Sequence, residues 1–436
     1  MLKANFIAAL IAFFVPVIFV TNLFGVIGEF GWGFVNYHSY LTITGLFLYL
    51  ILLAGSSRYV VTKEVFLFII FYSIFMFTCL LSLLLVANQS DSIDEFTGYA
   101  WMCIFSIGFV FSFKYEGMLK ATTYGALIAV LLMSFFNIYE FVDSDFRVFE
   151  NAVGANDDVV VGRANRIAGL HSDQNASAYA IIFSIFVISY YLKKNFMLLL
   201  AVLSFFPIIA TFSRSGIVLW AVTVVYIGIT RDDGRFSTIG ALTSIIFLCL
   251  VTYLIVSGQL IELIINAGYG DSLNKDMANR LSGNIFGQTD GSSEERRDLV
   301  ANAIDAFISN PITGIGLGVF GSDDILGNSA HNMFLQLGAE LGLMGLVTYC
   351  YLFAIPVILK SWFGFKFATL AMFVSLFSHT VLWEPWFLYC TAMCLVIIPM
   401  QTRIAKEEIR HRKVTTRKRK KKRRVRRSHS ARQTTQ

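Results

Sequence analysis

The chain has 436 residues, of which 56% are hydrophobic, 15% aromatic and only 15% charged, with a formal net charge of +6 and a mean hydropathy of +0.65. Water-soluble chains carry about a quarter charged residues, so that class is excluded. Apolar runs of roughly 18 to 25 residues recur from end to end, the length that crosses a bilayer as a helix. Backbone in lipid must satisfy its own hydrogen bonds, which selects helices, and the ten-residue alternation of a membrane barrel does not occur.

In chain order the predicted spans are 6–24, 38–56, 65–87, 98–113, 118–137, 175–192, 195–212, 215–230, 236–258, 335–359, 364–381 and 387–401, an all-α polytopic membrane protein of about twelve helices. The first run has Lys3 ahead of it and no small-residue cleavage site behind it, so it reads as a retained span. The connecting segments alternate in character. One set is short and basic: Arg58 and Lys63, Lys114 and Lys120, Lys193 and Lys194, Arg231 and Arg235, Lys360 and Lys366. The other set holds every long loop: 25–36, the acidic 88–97, 139–174, 259–330 and 382–386, with the tight turn Ser213-Arg214. Positive charge marks the cytoplasmic side, so both termini are expected there and the long loops outside.

Residues 1–401 then form one membrane domain with external loops at about 139–174 and 259–330, the larger between spans 9 and 10. From Gln401 onward the chain has 16 Lys/Arg and two acids, Glu407 and Glu408; the remainder has 19 Lys/Arg against 27 Asp/Glu. The basic character is therefore a tail property. Residues 402–436 cannot bury a core and are expected to be disordered, touching anionic lipid on the cytoplasmic face. No aromatic platform accompanies the charges, so nucleic acid is not expected as a partner. All six cysteines fall in apolar runs, which argues against a disulfide framework or a metal site built on them.

The large polar loop carries Lys275, Arg280, Arg296 and Arg297 on the side where membrane proteins usually avoid cations. Within it, Leu299, Val300, Ala303, Ile304, Phe307 and Ile308 share one face of a helix over Glu294–Asn310. That face fits either the outer membrane interface or the loop's own core, and Pro311 ends the helix. The glycine-rich run Gly314–Gly321 lacks the Gly-Lys-Ser/Thr ending of a phosphate-binding loop. It is expected to bring backbone close to a ligand or to another helix. Asp143-Ser144-Asp145 could hold a divalent metal, although a three-residue match is common by chance.

Outward cations are candidates for anion binding. They are Arg147, Arg163, Arg166, Arg214, Lys275, Arg280, Arg296 and Arg297. Arginine is suited to bidentate phosphate recognition. Arg214 sits in Ser213-Arg214-Ser215-Gly216, where two apolar helices are joined by almost no loop, at a helix N-terminus whose amides also favour anions. The bland reading is an interfacial arginine that snorkels to lipid headgroups. Arg163 and Arg166 are three apart and would share one side of a helical turn. His331 follows Asn328-Ser329-Ala330 and opens a helix. There the dipole disfavours its cationic form, leaving it able to accept a proton. A structural histidine is the alternative. Glu340 is expected to face the protein interior.

Glu295-Arg296, Ala303, Asn310-Pro311-Ile312-Thr313-Gly314-Ile315-Gly316-Leu317-Gly318, Ala330-His331-Asn332-Met333-Phe334-Leu335-Gln336 and Glu340-Leu341-Gly342-Leu343-Met344-Gly345 together resemble the O-antigen ligase and polymerase superfamily. Ser213-Arg214-Ser215-Gly216 matches its other signature, and Gly169 with Asn175 fits a weaker one. The resemblance covers roughly residues 163 to 350. It implies a GT-C-type fold and metal-independent, inverting glycan transfer on the outer face of the bacterial inner membrane, with no cofactor. The implied donor is a glycan on undecaprenyl pyrophosphate. The implied acceptor is the lipid A–core oligosaccharide for a ligase, or another lipid-linked repeat for a polymerase. On this resemblance His331 is the catalytic base, and Arg214, with Arg163, Arg166, Arg280 or Arg296, binds the pyrophosphate. A lipid-linked glycan transporter is the competing class, but transporters place charge near the midplane and here it clusters in the outer loops.

Overall fold

The computed structural model describes residues 2–27, 63–85, 90–112, 116–143, 148, 167–229, 238–257, 259, 262, 291–320 and 330–398. Among these the secondary structure is helical, without strands. The helices are α1 (Leu2–Val20), α2 (Leu23–Ile27), α3 (Lys63–Leu85), α4 (Ser90–Ser112), α5 (Glu116–Val142), α6 (Gln174–Ile188), α7 (Lys194–Leu203), α8 (Phe205–Ala210), α9 (Arg214–Ile229), α10 (Thr238–Val256), α11 (Gly291–Ser309), α12 (Met333–Ile358) and α13 (Trp362–Ser375). A last helix, α14, covers Pro385–Ile398. Among the described residues three helical stretches are long and apolar enough to cross a membrane: Lys63–Leu84, Gly117–Val142 and Met333–Ile358. The second predicted span, 38–56, lies outside the described residues, as does the basic tail.

Three expectations change at their edges. The acidic stretch 88–97 is mostly helix, because α4 starts at Ser90; acids in a first turn complement the helix dipole. The seventh span, expected as one helix over 195–212, is two, α7 and α8. Pro207 has no amide to bond back four residues, which breaks the ladder there. The eleventh span, expected to reach 381, ends at Ser375. Beyond it the Ser378 hydroxyl accepts from the Thr380 amide (3.4 Å), a local bond that competes with helix.

The architecture centres on α6. Every residue from Ala176 to Ile188 is buried, as expected of a helix that is apolar all round. Phe183 and Phe186 pack on Phe367 of α13, and Phe183 also meets Trp386 and Phe387 of α14. On other sides α6 touches α5 and α9, while α1 lies along α5 and α3 along α12. The Thr122 hydroxyl donates to the Ala12 carbonyl (2.6 Å), drawing α5 onto α1.

The far end of α9 is closed by two lysines. Lys194 Nζ donates to the Gly228 carbonyl (2.7 Å) and Lys366 Nζ to the Tyr226 carbonyl (3.3 Å). Cations at a helix C-terminus complement its dipole. Lys366, expected in a short basic loop, lies inside α13 and is buried, with its ammonium 5.5 Å from the ring centres of Tyr226 and Trp362.

The amphipathic helix forms as α11. Leu299 and Ala303 are buried, and Ala303 clusters with Phe320, Ala330 and Ala339. Its inner face therefore packs on α12 as well as on its own loop. Ile304 and Ile308, with Ile312 beyond the helix, stay exposed at 42%, 66% and 65%, a separate apolar stripe at a spacing of four.

Candidate active site

Each residue of Ser213-Arg214-Ser215-Gly216 has a role in the turn between α8 and α9. Phe212 takes a left-handed backbone (φ 53), which lets the chain reverse in so few residues. The Ser213 hydroxyl accepts from the Gly216 amide (3.1 Å), capping α9, and donates to Asn175 Oδ1 on α6 (2.7 Å). Ser215 Oγ pairs with the Tyr179 hydroxyl at 2.5 Å. A Cβ on Gly216 would stand 2.8 Å from that of Ala178, so the glycine permits close approach of α9 to α6. Arg214 is exposed at the first position of α9. A cation there opposes the helix dipole, a cost that a bound anion would offset.

The first turn of α6 is itself held in place. Asp173 caps it, accepting from the Ala176 amide (2.8 Å). Ahead of it Gly169 donates to the Glu140 carboxylate (2.6 Å), and the His171 Nε2 sits 2.9 Å from the Val20 carbonyl. Burial pushes His171 down to about 4, so the ring is neutral. Asn137 of α5 bonds Ser177 (3.0 Å) and the Pro207 carbonyl (3.3 Å), tying α5, α6 and α8 together behind Asn175.

His331 stands at the mouth of α12 with φ 48. Asn332 caps the helix by accepting from the Phe334 and Leu335 amides (3.0 and 3.2 Å). Gln336 accepts from the Ala330 amide (3.3 Å) and donates to Glu340 Oε1, which is fully buried as expected. The positions that carry the Ala330–Glu340 signature thus brace the backbone on either side of His331.

The glycine-rich run brings its backbone onto a helix. α12 is interrupted at Gly342 (φ 61, ψ −152). The 311–316 backbone supplies the partners that the break releases. Ile315 and Gly316 amides donate to the Ala339 and Glu340 carbonyls (2.8 and 3.1 Å), and the Leu343 amide donates to the Pro311 carbonyl (2.8 Å). Next along, the Leu317 amide donates to Ser82 (2.9 Å) and its carbonyl accepts from Ser92 (2.5 Å). The segment Pro311–Leu317 is thereby fastened to α3, α4 and α12 ahead of His331.

The loop from α13 to α14 completes the site. His379 lies edge-on to His331, with ring centres 5.3 Å apart and planes at 72°. Thr380 donates to Glu384 Oε1 (3.2 Å), and Trp383 packs on Tyr99 of α4. Burial and the neighbouring His331 push His379 down to about 4, against the pull of Asp173. Burial and the Asp173 carboxylate push Glu384 up to about 7. Asp173 is therefore felt by both residues of this loop, while Asn175, two positions on, holds the Arg214 turn. The first turn of α6 thus touches the Arg214 turn directly, through Asn175 and Ser213.

Of the predicted site residues, Arg214 and His331 are both brought to this end of the bundle. Arg163, Arg166 and Arg280 lie outside the described residues. Arg296 is described only in its backbone, within α11. Asp143 directly follows α5, and Asp145 is outside the described residues. Among the described residues no group of three His, Cys, Asp or Glu side chains is arranged to hold a metal, and the six cysteines are free. Asp173, His379 and Glu384 were not singled out by sequence. An aspartate just before an apolar run is a cap signal, while His379 was hidden inside an apolar run read as a span.

Helices long and apolar enough to cross a bilayer define a membrane protein. Residues 199–350, roughly a third of the chain, match the family model described as O-Antigen ligase, which supports the resemblance to the O-antigen ligase superfamily. The matched segment runs from α7 to the middle of α12 and includes both Arg214 and His331. No curated protein gives a significant match.

Proposed function

We propose that the protein is an O-antigen ligase-type inverting glycosyltransferase. It transfers a glycan from undecaprenyl pyrophosphate to the lipid A–core oligosaccharide on the periplasmic face of the inner membrane. The observation that carries this reading is the inclusion of Arg214 and His331 in the segment that matches the O-antigen ligase family. The reading takes residues 1–401 as a GT-C-type domain of about twelve spans with both termini cytoplasmic. The external loops 139–174 and 259–330 face the donor and acceptor.

In this scheme the acceptor hydroxyl attacks the anomeric carbon and the pyrophosphate leaves from the opposite side. His331, at a helix N-terminus that disfavours its cation, takes the hydroxyl proton. Arg214 neutralises the charge that develops on the leaving diphosphate. Arg163, Arg166, Arg280 and Arg296 are the candidates to assist it. Once its charge is stabilised a diphosphate departs without a separate acid, so no metal or cofactor is assigned a step.

Lipopolysaccharide analysis of a deletion strain tests the reading. Loss of all O-antigen from the core, with lipid-linked polymer accumulating, is the expected result. A core bearing a single repeat unit would instead identify a polymerase that joins lipid-linked repeats, and unchanged lipopolysaccharide would sink both.

A further inference from the structure

The loop between α13 and α14 carries polar groups to which the scheme above gives no task. Its Ser378, Thr380 and Glu384 are linked in a chain: Ser378 Oγ to Thr380 Oγ1 (3.2 Å), and Thr380 Oγ1 to Glu384 Oε1 (3.2 Å). His379 projects from the same loop onto the edge of His331, with ring centres 5.3 Å apart. Its Nδ1 is shielded from solvent and has no hydrogen-bond partner among the described residues. A shielded polar atom without a partner is costly, and in a functional cleft it is where a ligand group belongs.

We propose that His379 is a substrate-binding residue of the acceptor subsite, where it hydrogen-bonds a second hydroxyl of the sugar whose neighbouring hydroxyl faces His331. The inference rests on the reading of His331 as the residue that meets the acceptor. Two imidazoles this close cannot both carry a proton at little cost. Burial and His331 keep His379 neutral, opposed by Asp173. In a neutral imidazole Nδ1 either donates to a hydroxyl oxygen or accepts from its O–H, so either tautomer can bond one. The hydrogen-bond reach of about 2.8–3.0 Å from each ring spans neighbouring hydroxyls on one pyranose. The ligand class is thus a sugar with two adjacent free hydroxyls. The reacting hydroxyl and its neighbour are read by different histidines.

The test is acceptor binding by the full-length protein in nanodiscs, with lipid A–core glycolipid and a lipid-linked repeat unit as separate probes, and transfer measured in parallel. His379→Phe keeps a ring of similar size against His331 but removes both nitrogens. His379→Asn places an amide near the Nδ1 position. The expected result is a loss of acceptor affinity of about tenfold or more in the Phe variant and recovery to within about threefold in the Asn variant, with donor binding unchanged. Wild-type affinity in the Phe variant, or equal loss in both variants, would overturn the proposal, as would failure of the wild type to bind either glycan. Binding that depends on His379 in a protein that transfers neither glycan would leave this inference standing and refute the proposed reaction.

Discussion

Gly314 and Gly342 meet backbone to backbone. A Cβ on Gly342 would lie 2.7 Å from the Gly314 amide and 2.5 Å from the Ile312 carbonyl, and one on Gly314 would lie 2.2 Å from the Glu340 carbonyl carbon. Both residues have positive φ, 71 and 61. The glycine-rich segment thus closes onto α12 at its break, eleven residues beyond His331, through contacts that no side chain can enter.

Gly342→Ala and Gly314→Ala are accordingly expected to destabilise the protein and to displace the His331 helix. Left-handed backbone alone costs an alanine about 1–2 kcal/mol, and the collisions add to that. Thermal unfolding in detergent should show a clear fall in midpoint for both variants. Gly117→Ala, at a position where a Cβ meets nothing within 4 Å, should behave as wild type. Equal midpoints for all three would refute the account of the break.

Much of this was legible in the sequence because it depends on local patterns. Asn332 before an apolar run is a helix cap, Ser213 before Gly216 is another, and the period of Leu299 and Ala303 places α11. Gly314 and Gly316 announce close backbone approach without saying to what. The partner, a broken helix, is set by packing between segments far apart in sequence. The same holds for His379, which reaches His331 only because α13 stops at Ser375 and the chain turns back. Asp173 reads as a simple cap until the fold sets it beside a loop more than two hundred positions later.

Glu384 gives the stability a pH dependence whose sign is fixed. Burial and Asp173 raise it from 4.5 to about 7 in the folded protein, so the folded state holds the proton more tightly than the unfolded chain. The associated stabilisation is present in full below about pH 4.5 and is lost as pH rises through about 7. Glu384→Gln is neutral at every pH. It should match wild type at pH 4.5 and exceed it at pH 8 by on the order of 2 kcal/mol, after allowance for partial exposure. Unfolding midpoints of both proteins across this range measure the gap. Asp173→Asn retains the α6 cap but removes the charge, and should shrink the gap at pH 8 and make it level off at a lower pH.

Ser213 joins the Arg214 turn to α6. Ser213→Ala removes the cap to the Gly216 amide and the bond to Asn175. A lost cap costs about 0.5–2 kcal/mol. Because Arg214 is the next residue, transfer should fall more steeply than stability. Asn175→Ala should reproduce the activity loss while leaving the cap. If Asn175→Ala transfers glycan at the wild-type rate, the α6 turn does not position Arg214.

Arg214 and His331 make opposite demands on their helices, and this separates function from folding. The Arg214 charge at the start of α9 opposes the dipole by about 0.3–1 kcal/mol, and an exposed arginine returns at most a similar amount through surface contacts. Arg214→Ala should therefore unfold within about 1 kcal/mol of wild type. Its transfer should fall by on the order of 2.7–4 kcal/mol in barrier, the cost of losing a preorganised donor to developing charge. Arg214→Lys keeps the charge without the planar fork and should recover only part of the rate. His331→Ala should also abolish transfer, while relieving the left-handed strain less completely than His331→Gly. His331→Gly is expected to be at least as stable as wild type, yet inactive. An active His331→Gly variant would remove the base, and a poorly folded Arg214→Ala would make Arg214 a structural residue.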